Sequence, residues 1–179
     1  FIALGVIVAL VVVCGGGIAL IAGNSGDNDT TPAAPAAEDK DAPAEDAPPG
    51  IGEEARDGKF AFTVTGVDVG QTRVGEDVFG EEAQGVFAII DLTVENIGDV
   101  PQTFTDENQR LFDANGNEYS ADFSADLLLN DDAGAWLEEI NPGNVINVQL
   151  AFDVPENTEL ATMELHDSIF SNGVTVALK

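Results

Sequence analysis

A single histidine, His166, stands in the run Leu165-His166-Asp167-Ser168. Base, acid and hydroxyl are adjacent there. Neighbours in an extended strand point to opposite faces, however, so the run does not assemble a nucleophilic triad. No nucleophile-elbow pattern accompanies it, and His166 reads as a strand-end or packed histidine. Carboxylates are abundant and often paired: Glu76-Asp77, Glu81-Glu82, Asp106-Glu107, Asp131-Asp132 and Glu138-Glu139. Such pairs cleave glycosides only when a fold sets two of them across a cleft in different environments. Nothing in the sequence singles out one pair, so no catalytic residue is expected and the chain is read as no enzyme.

Carboxylates can instead hold a hard cation. Asp113-Ala114-Asn115-Gly116-Asn117 resembles the start of an oxygen-ligand loop, but Gly116 falls fourth where an EF-hand needs glycine sixth, and the twelfth residue is Ser124. Asn115-Gly116 is better read as a tight hairpin turn. A separate set, Asp126, Asp131 and Asp132, is the candidate for a non-EF metal site, with calcium as the ion that would suit it. No other cofactor is implied. Trp136, the only tryptophan, lies between acidic pairs in Gly134-Ala135-Trp136-Leu137. With Leu128 it is the candidate binding surface, and packing on the core is the competing role.

Three compositional zones must position these residues. Residues 1–22 contain no charged side chain and no Asn, Gln, Ser or Thr. At a rise of 1.5 Å per residue such a run makes a helix of roughly 33 Å, long enough for a hydrocarbon core of ~30 Å. It exceeds the usual apolar core of a secretory signal, so a retained transmembrane helix is expected, with a cleaved signal peptide as the alternative. Cys14 follows the bulky Val13, which does not suit lipid attachment. Residues 23–57 hold five of the eight prolines, ten acids and two bases, with Ile51 as the one large apolar residue. That composition cannot offset its ordering entropy and predicts a disordered, extended linker. The lack of basic residues before Lys40 places the C-terminal side outside the cell by the positive-inside rule. The expected location is therefore the cell membrane, single-pass, with an extracytoplasmic C-terminal domain.

The whole chain carries 33 acids against six Lys and Arg, a net charge of −27. Phosphate contacts need a basic face, so nucleic acid is excluded as a partner. A lone cysteine excludes an intrachain disulfide. The partners that remain are the membrane, through the N-terminal helix, and an envelope or extracellular protein.

Residues 58–179 alternate with period two. Phe60, Phe62 and Val64 are followed, after Gly66, by Val67 and Val69, and the glycine predicts a bulge. Val86, Ala88, Ile90, Leu92 and Val94 form a second face, with Asp91, Thr93 and Glu95 opposite; Ile146, Val148, Leu150 and Phe152 form a third. Met163 and Leu165, then Val174, Val176 and Leu178, mark the last strands. Half-apolar strands bounded by Gly, Pro, Asn and Asp predict an all-β antiparallel sandwich, one face of each sheet buried and one wet. Its turn spacing is that of an immunoglobulin-like domain, here without the disulfide. One helical turn at 125–129, long loops at 70–84 and 122–144, and edge positions for the strands at 60–69 and 174–178 complete the expectation.

The order of several short motifs also resembles a known family. Asp57-Gly58-Lys59-Phe60-Ala61-Phe62-Thr63-Val64 opens it, followed by Gln84-Gly85-Val86-Phe87, Thr93-Val94-Glu95-Asn96-Ile97-Gly98, Leu111-Phe112-Asp113 with Gly116 and Tyr119, Asn141-Pro142-Gly143, and Phe152-Asp153-Val154-Pro155. Together they resemble the domain of unknown function 4352 family, found in exported and membrane-anchored bacterial proteins. Its fold is similar to the immunoglobulin-like sandwich of the mycobacterial immunoprotective extracellular antigen. The resemblance implies a fold and export to the bacterial cell envelope, and it transfers no catalytic residues. The reading that follows is a membrane-tethered, non-catalytic binding module, or alternatively an accessory domain whose acidic surface binds divalent cations.

Overall fold

A computed structural model describes residues 47–76, 78–130 and 139–179. The strands are β1 Glu54–Asp57, β2 Phe60–Val74, β3 Glu81–Asn96, β4 Gln102–Thr103, β5 Arg110–Asp113, β6 Glu118–Ser120, β7 Glu139–Ile140, β8 Val145–Val154, β9 Leu160–Leu165 and β10 Val174–Ala177. Helix α1 Phe123–Leu129 and a short 3-10 turn, Asp106–Asn108, interrupt them. All pairings are antiparallel. One sheet runs β1-β2-β3-β8, a second β10-β9-β5-β6, and β4 pairs with β7. The result is a mostly-β sandwich.

Period two explains the main core. Phe60, Phe62 and Val64 of β2, Ala88 to Val94 in alternate positions of β3, and Val148, Leu150 and Phe152 of β8 point inward. They meet Leu111, Leu160, Met163, Leu165 and Val176 of the second sheet. Phe60, Phe62 and Phe104 pack with ring centroids 5.8–6.2 Å apart, Phe60 edge-on to Phe104 and the other two pairs tilted, a geometry that adds to their area burial. The register of β2 on β3 shifts between Val64 and Gly66, the expected bulge.

Three features depart from the sequence reading. The sandwich begins before Gly58, inside the segment read as linker: β1 pairs Ala55 with Phe62, and Pro49 accepts a hydrogen bond from the Ala177 amide. Consequently β2 is an inner strand, not an edge, whereas β10 does lie at an edge. The loop expected at 70–84 is shorter, because β2 continues to Val74 and β3 starts at Glu81.

The third departure concerns burial. The β1-β2-β3-β8 sheet is dry on parts of both faces. Val74, Phe87, Ile89 and Ala151 project from its outer face and form a second cluster with Ala125, against which Leu128 and Leu129 pack. Helix α1 covers this patch. It also closes the free edge of β8: the Asp122 amide donates to Ala151 O, and the Asn130 side chain accepts from Gln149 N and donates to Gln149 O, both at 2.9 Å. Asn130 thus imitates a neighbouring strand, which removes an exposed sheet edge. The Asp122 carboxylate caps the helix through Ser124 N and Ala125 N, as an N-cap aspartate should.

Residues 1–22, read as a membrane helix, lie outside the described residues. Among those described, no helix is long and apolar enough to cross a membrane.

Candidate functional site

The best-organised exposed feature is the loop between β9 and β10. His166, at its foot, places Nε2 3.1 Å from Glu164 Oε1 and Nδ1 3.3 Å from Ser171 Oγ. Ser171 Oγ also donates to Ser168 O at 2.9 Å, so the hydroxyl is shared between the imidazole and the loop backbone. This chain of contacts staples the two limbs of the loop. Gly173 lies against the imidazole ring, where a Cβ would collide with it. Below, Gln109 is fully buried and holds His166 from both sides: its Oε1 accepts from His166 N at 2.8 Å and its Nε2 donates to His166 O at 3.1 Å. The Asp167 amide donates to Asp57 Oδ2 at 2.7 Å. At the apex of this braced loop, Ile169 is 72% and Phe170 90% exposed. A second apolar tip, Val78 and Phe79, stands at the far end of β2 in the β2–β3 hairpin and is similarly exposed. Neither Phe79 nor Phe170 belongs to the core. Ser171-Asn172-Gly173 after Phe170 was a turn signal that marks it as a loop residue.

Of the residues singled out for chemistry, Asp113 stands at the end of β5, Asp126 and Leu128 on α1, and His166 after β9. Asp113 accepts from Asn115 N, Asn117 N and Asn117 Nδ2 within 2.9 Å, and Tyr119 Oη lies 3.3 Å away. The Asn117 side chain, followed by the turn amides, holds its carboxyl down to about 2. The carboxylate organises the hairpin, and Gly116 takes φ 82° as the Asn-Gly turn requires.

Asp126, the first of the candidate cation ligands, is not a surface carboxylate. It sits in α1 at 1% exposure with Oδ1 2.5 Å from Ala151 N, while Oδ2 has no hydrogen-bond donor among the described residues. Asp106, 5% exposed, lies within hydrogen-bonding reach of it. Burial, and then the neighbouring Asp106 and Asp122, push Asp126 up to about 8; burial also raises Asp106. Glycosidase carboxyls stand ~5–9 Å apart around a substrate, whereas Asp126 and Asp106 are both buried in the fold. Asp131, Asp132 and Trp136 lie outside the described residues. Among those described, no group of three or more potential ligand side chains is gathered. Leu128 is half-buried and packs on the cluster under α1.

The polar residues of the recurring motifs serve the framework. Asp153 grips the start of β3, accepting from Gln84 N at 2.6 Å and Gly85 N at 3.0 Å. Fully buried Asn96 donates to Val100 O and Ile140 O and accepts from Gly98 N, joining the end of β3 to β7. Asn141-Pro142-Gly143 forms the turn whose Gly143 amide returns to Asn96 O at 2.8 Å.

Comparison with known proteins agrees with this frame. The fold matches a secreted protein of Mycobacterium tuberculosis, MPT63, with TM-score 0.52 and 12% identity over 75% of this chain and 98% of that one. It matches the yjhA protein of Bacillus subtilis with TM-score 0.51 and 19% identity over 73% and 99% of the two chains. A conserved hypothetical protein of Bacillus anthracis gives TM-score 0.50 and 18% identity over 70% and 94%. No sequence match is found among curated proteins. A family model covers residues 49–176, from before β1 into β10, and the chain accordingly belongs to the DUF4352 family, a domain of unknown function.

Proposed function

We propose that the chain is a non-catalytic, immunoglobulin-like binding module. In this reading it works outside the cytoplasm, tethered to the membrane through residues 1–22 and the acidic segment that precedes the sandwich. It recognises an envelope or extracellular protein through the apex Ile169-Phe170. The observation that carries the reading is the contrast within one loop: a pedestal held by Gln109, His166, Ser168 and Ser171, topped by two large apolar side chains left in water. Ordering a loop before it binds removes an entropic cost from association. Exposed aromatics on rigid supports are the usual anchors of an interface. The acid-rich composition of the domain, 23 acids against four bases in residues 58–179, favours a partner with a basic rim. Location outside the cytoplasm is supported by the charge-free N-terminal run and by the secreted character of the Mycobacterium tuberculosis protein with the same fold.

The test is site-directed photo-crosslinking from residue 169 in intact cells, comparing wild type with Phe170→Ser and with Phe79→Ser. A specific adduct lost in Phe170→Ser, with an unchanged thermal melt, is expected. An adduct that survives both substitutions would remove the apex from the function.

A further inference from the structure

Two Asn-Gly pairs occur in the chain, Asn115-Gly116 and Asn172-Gly173. Asparagine before glycine carries a latent reaction. The backbone nitrogen of the glycine can attack the side-chain carbonyl of the asparagine, because no Cβ on the glycine obstructs the approach. Nucleophile and carbonyl belong to neighbouring residues, so no second molecule has to be collected. Whether the ring closes depends on how firmly the fold holds that nitrogen, and the two pairs are held differently.

In the turn between β5 and β6 the nitrogen is tied down. The Gly116 amide donates to Asp113 O at 3.0 Å, and the Asn115 and Asn117 amides on either side donate to Asp113 Oδ1 at 2.9 and 2.8 Å. Attack needs the Gly116 proton to leave and the peptide plane to turn, and both break this bonded turn. In the loop between β9 and β10 the nitrogen is unbound. Asn172 is exposed, Gly173 is half-buried, and the Gly173 amide donates to no acceptor among the described residues. The β9–β10 ladder begins only at Val174, opposite Leu165. The stapling bonds of the loop run through His166, Ser168 and Ser171 and stop short of Asn172.

We propose that Asn172 is a self-modification site, converted to aspartate and isoaspartate, while Asn115 in the same dipeptide is protected by its turn. The bond that forms joins Gly173 N to Asn172 Cγ, and the bond that breaks is Cγ–Nδ2. The amide proton passes to water or hydroxide, and the side-chain nitrogen leaves as ammonia. Water then opens the cyclic imide at either carbonyl, giving aspartate or isoaspartate. Either product adds a negative charge near Phe170 in the loop. Isoaspartate also routes the main chain through Cβ and Cγ, which lengthens it by a carbon. Gly173 lies so close to the His166 ring that a Cβ would stand 2.5 Å from Cε1, so the added length cannot be absorbed on that side. It is taken up toward Ser171, whose hydroxyl holds His166 Nδ1 and Ser168 O. The apex therefore has a chemical lifetime. This inference stands on the backbone bonding of the two pairs and does not rest on the binding reading.

The test follows both asparagines in the purified full chain, held in detergent in mildly alkaline buffer. Cleavage after glutamate separates them, since Glu118 and Glu164 lie between, and mass spectrometry with isoaspartate-specific methylation quantifies each product. Asn172 should convert at least about tenfold faster than Asn115, equal to ~1.4 kcal/mol in the barrier. In concentrated urea the two rates should converge, because each asparagine then has the same neighbour and no fold. Asp113→Ala, which removes the acceptor of Asn115 N and Asn117 N, should raise the Asn115 rate toward that of Asn172; an unchanged rate would overturn the role given to the turn. Equal rates in the folded chain would overturn the proposal. So would a ratio that persists in urea, by locating the difference in the sequence and not in the fold. Hydrogen exchange at Ser171, whose amide donates to Ser168 O at 3.0 Å, should rise in the converted chain while Leu92 in the core keeps its protection. Unchanged exchange at Ser171 would refute the effect on the apex.

Discussion

Glycine-to-alanine substitution adds the same methyl group everywhere, so its cost at different positions isolates what the fold asks of each glycine. At Gly85 the added Cβ would collide with Val154 O and come within 3.0 Å of Val154 C and 3.1 Å of Pro155 Cα. All three are backbone atoms, and none can rotate away. Relief requires β3 and β8 to part where Val86 pairs with Val154. That movement also pulls Gln84 N and Gly85 N off the Asp153 carboxylate, from 2.6 and 3.0 Å. Hydrogen bonds to a charged group are worth about 1.5–3 kcal/mol each, less where water can replace them. The two lost bonds and the opened strand pair should cost about 3–4 kcal/mol in all. At Gly116 nothing lies within 4 Å of the added Cβ, and only the positive φ of 82° opposes it; the penalty there should be about 1–2 kcal/mol. Urea denaturation of the two single variants gives the comparison, with an unchanged m-value required for the difference to be one of stability. Asp153→Ala and the Gly85→Ala/Asp153→Ala double variant complete a cycle. Because both substitutions break the same contact, the double should cost well below the sum. A Gly85→Ala penalty no larger than that of Gly116→Ala, or strict additivity in the cycle, would refute the claim that Asp153 and the close approach of β8 act as one brace.

Two further outcomes follow from the same contacts. The Asp113 carboxyl is held at about 2 by Asn117 and the turn amides, against ~3.9 unfolded; its stabilisation is present above pH 4 and is lost as pH falls toward 2. The Asn115 and Asn117 amide resonances should therefore titrate together in that window, and Asp113→Asn should abolish the change. Gln109→Leu leaves His166 N, His166 O and Thr105 O without their side-chain partner. It should cost about 2–4 kcal/mol and raise exchange at His166 before the rest of β9, whereas uniform exchange would show that the loop is held by other contacts.

The strands were legible because alternation is a local property. The bulge at Gly66 and the turn at Gly116 were legible for the same reason. The cover over the outer face was missed although a signal for it exists. Val86-Phe87-Ala88-Ile89-Ile90 is apolar without interruption, and a continuous apolar run means a strand buried on both faces. Attention to Val86, Ala88 and Ile90 alone turns Phe87 and Ile89 into the wet side. β1 had no such signal: Glu54-Ala55-Arg56-Asp57 holds one small apolar residue, and only pairing with Phe60 to Thr63 makes it a strand. The burial of Asp126 was equally unreadable, because it depends on Ala151 N and Asp106, distant in sequence.

The same distinction bears on what membership of the family can convey. Its most recognisable polar residues are consumed by the chain itself: Asp57 by Asp167 N, Asn96 by Val100, Ile140 and Gly98, and Asp153 by Gln84 and Gly85. A carboxylate already receiving two backbone amides has little left to offer a ligand. Among the described residues, the large apolar side chains with the highest exposure, Val78, Phe79, Ile169 and Phe170, fall outside those motifs. The frame and the proposed contact surface are therefore carried by different residues, and the motifs can persist while the tips change. On this argument a shared family predicts shared strands, braces and turns, and under the proposed binding function the choice of partner would reside in two short loops. Exchanging residues 166–173 between two family members should then move partner preference and leave the urea midpoint within the range of surface substitutions.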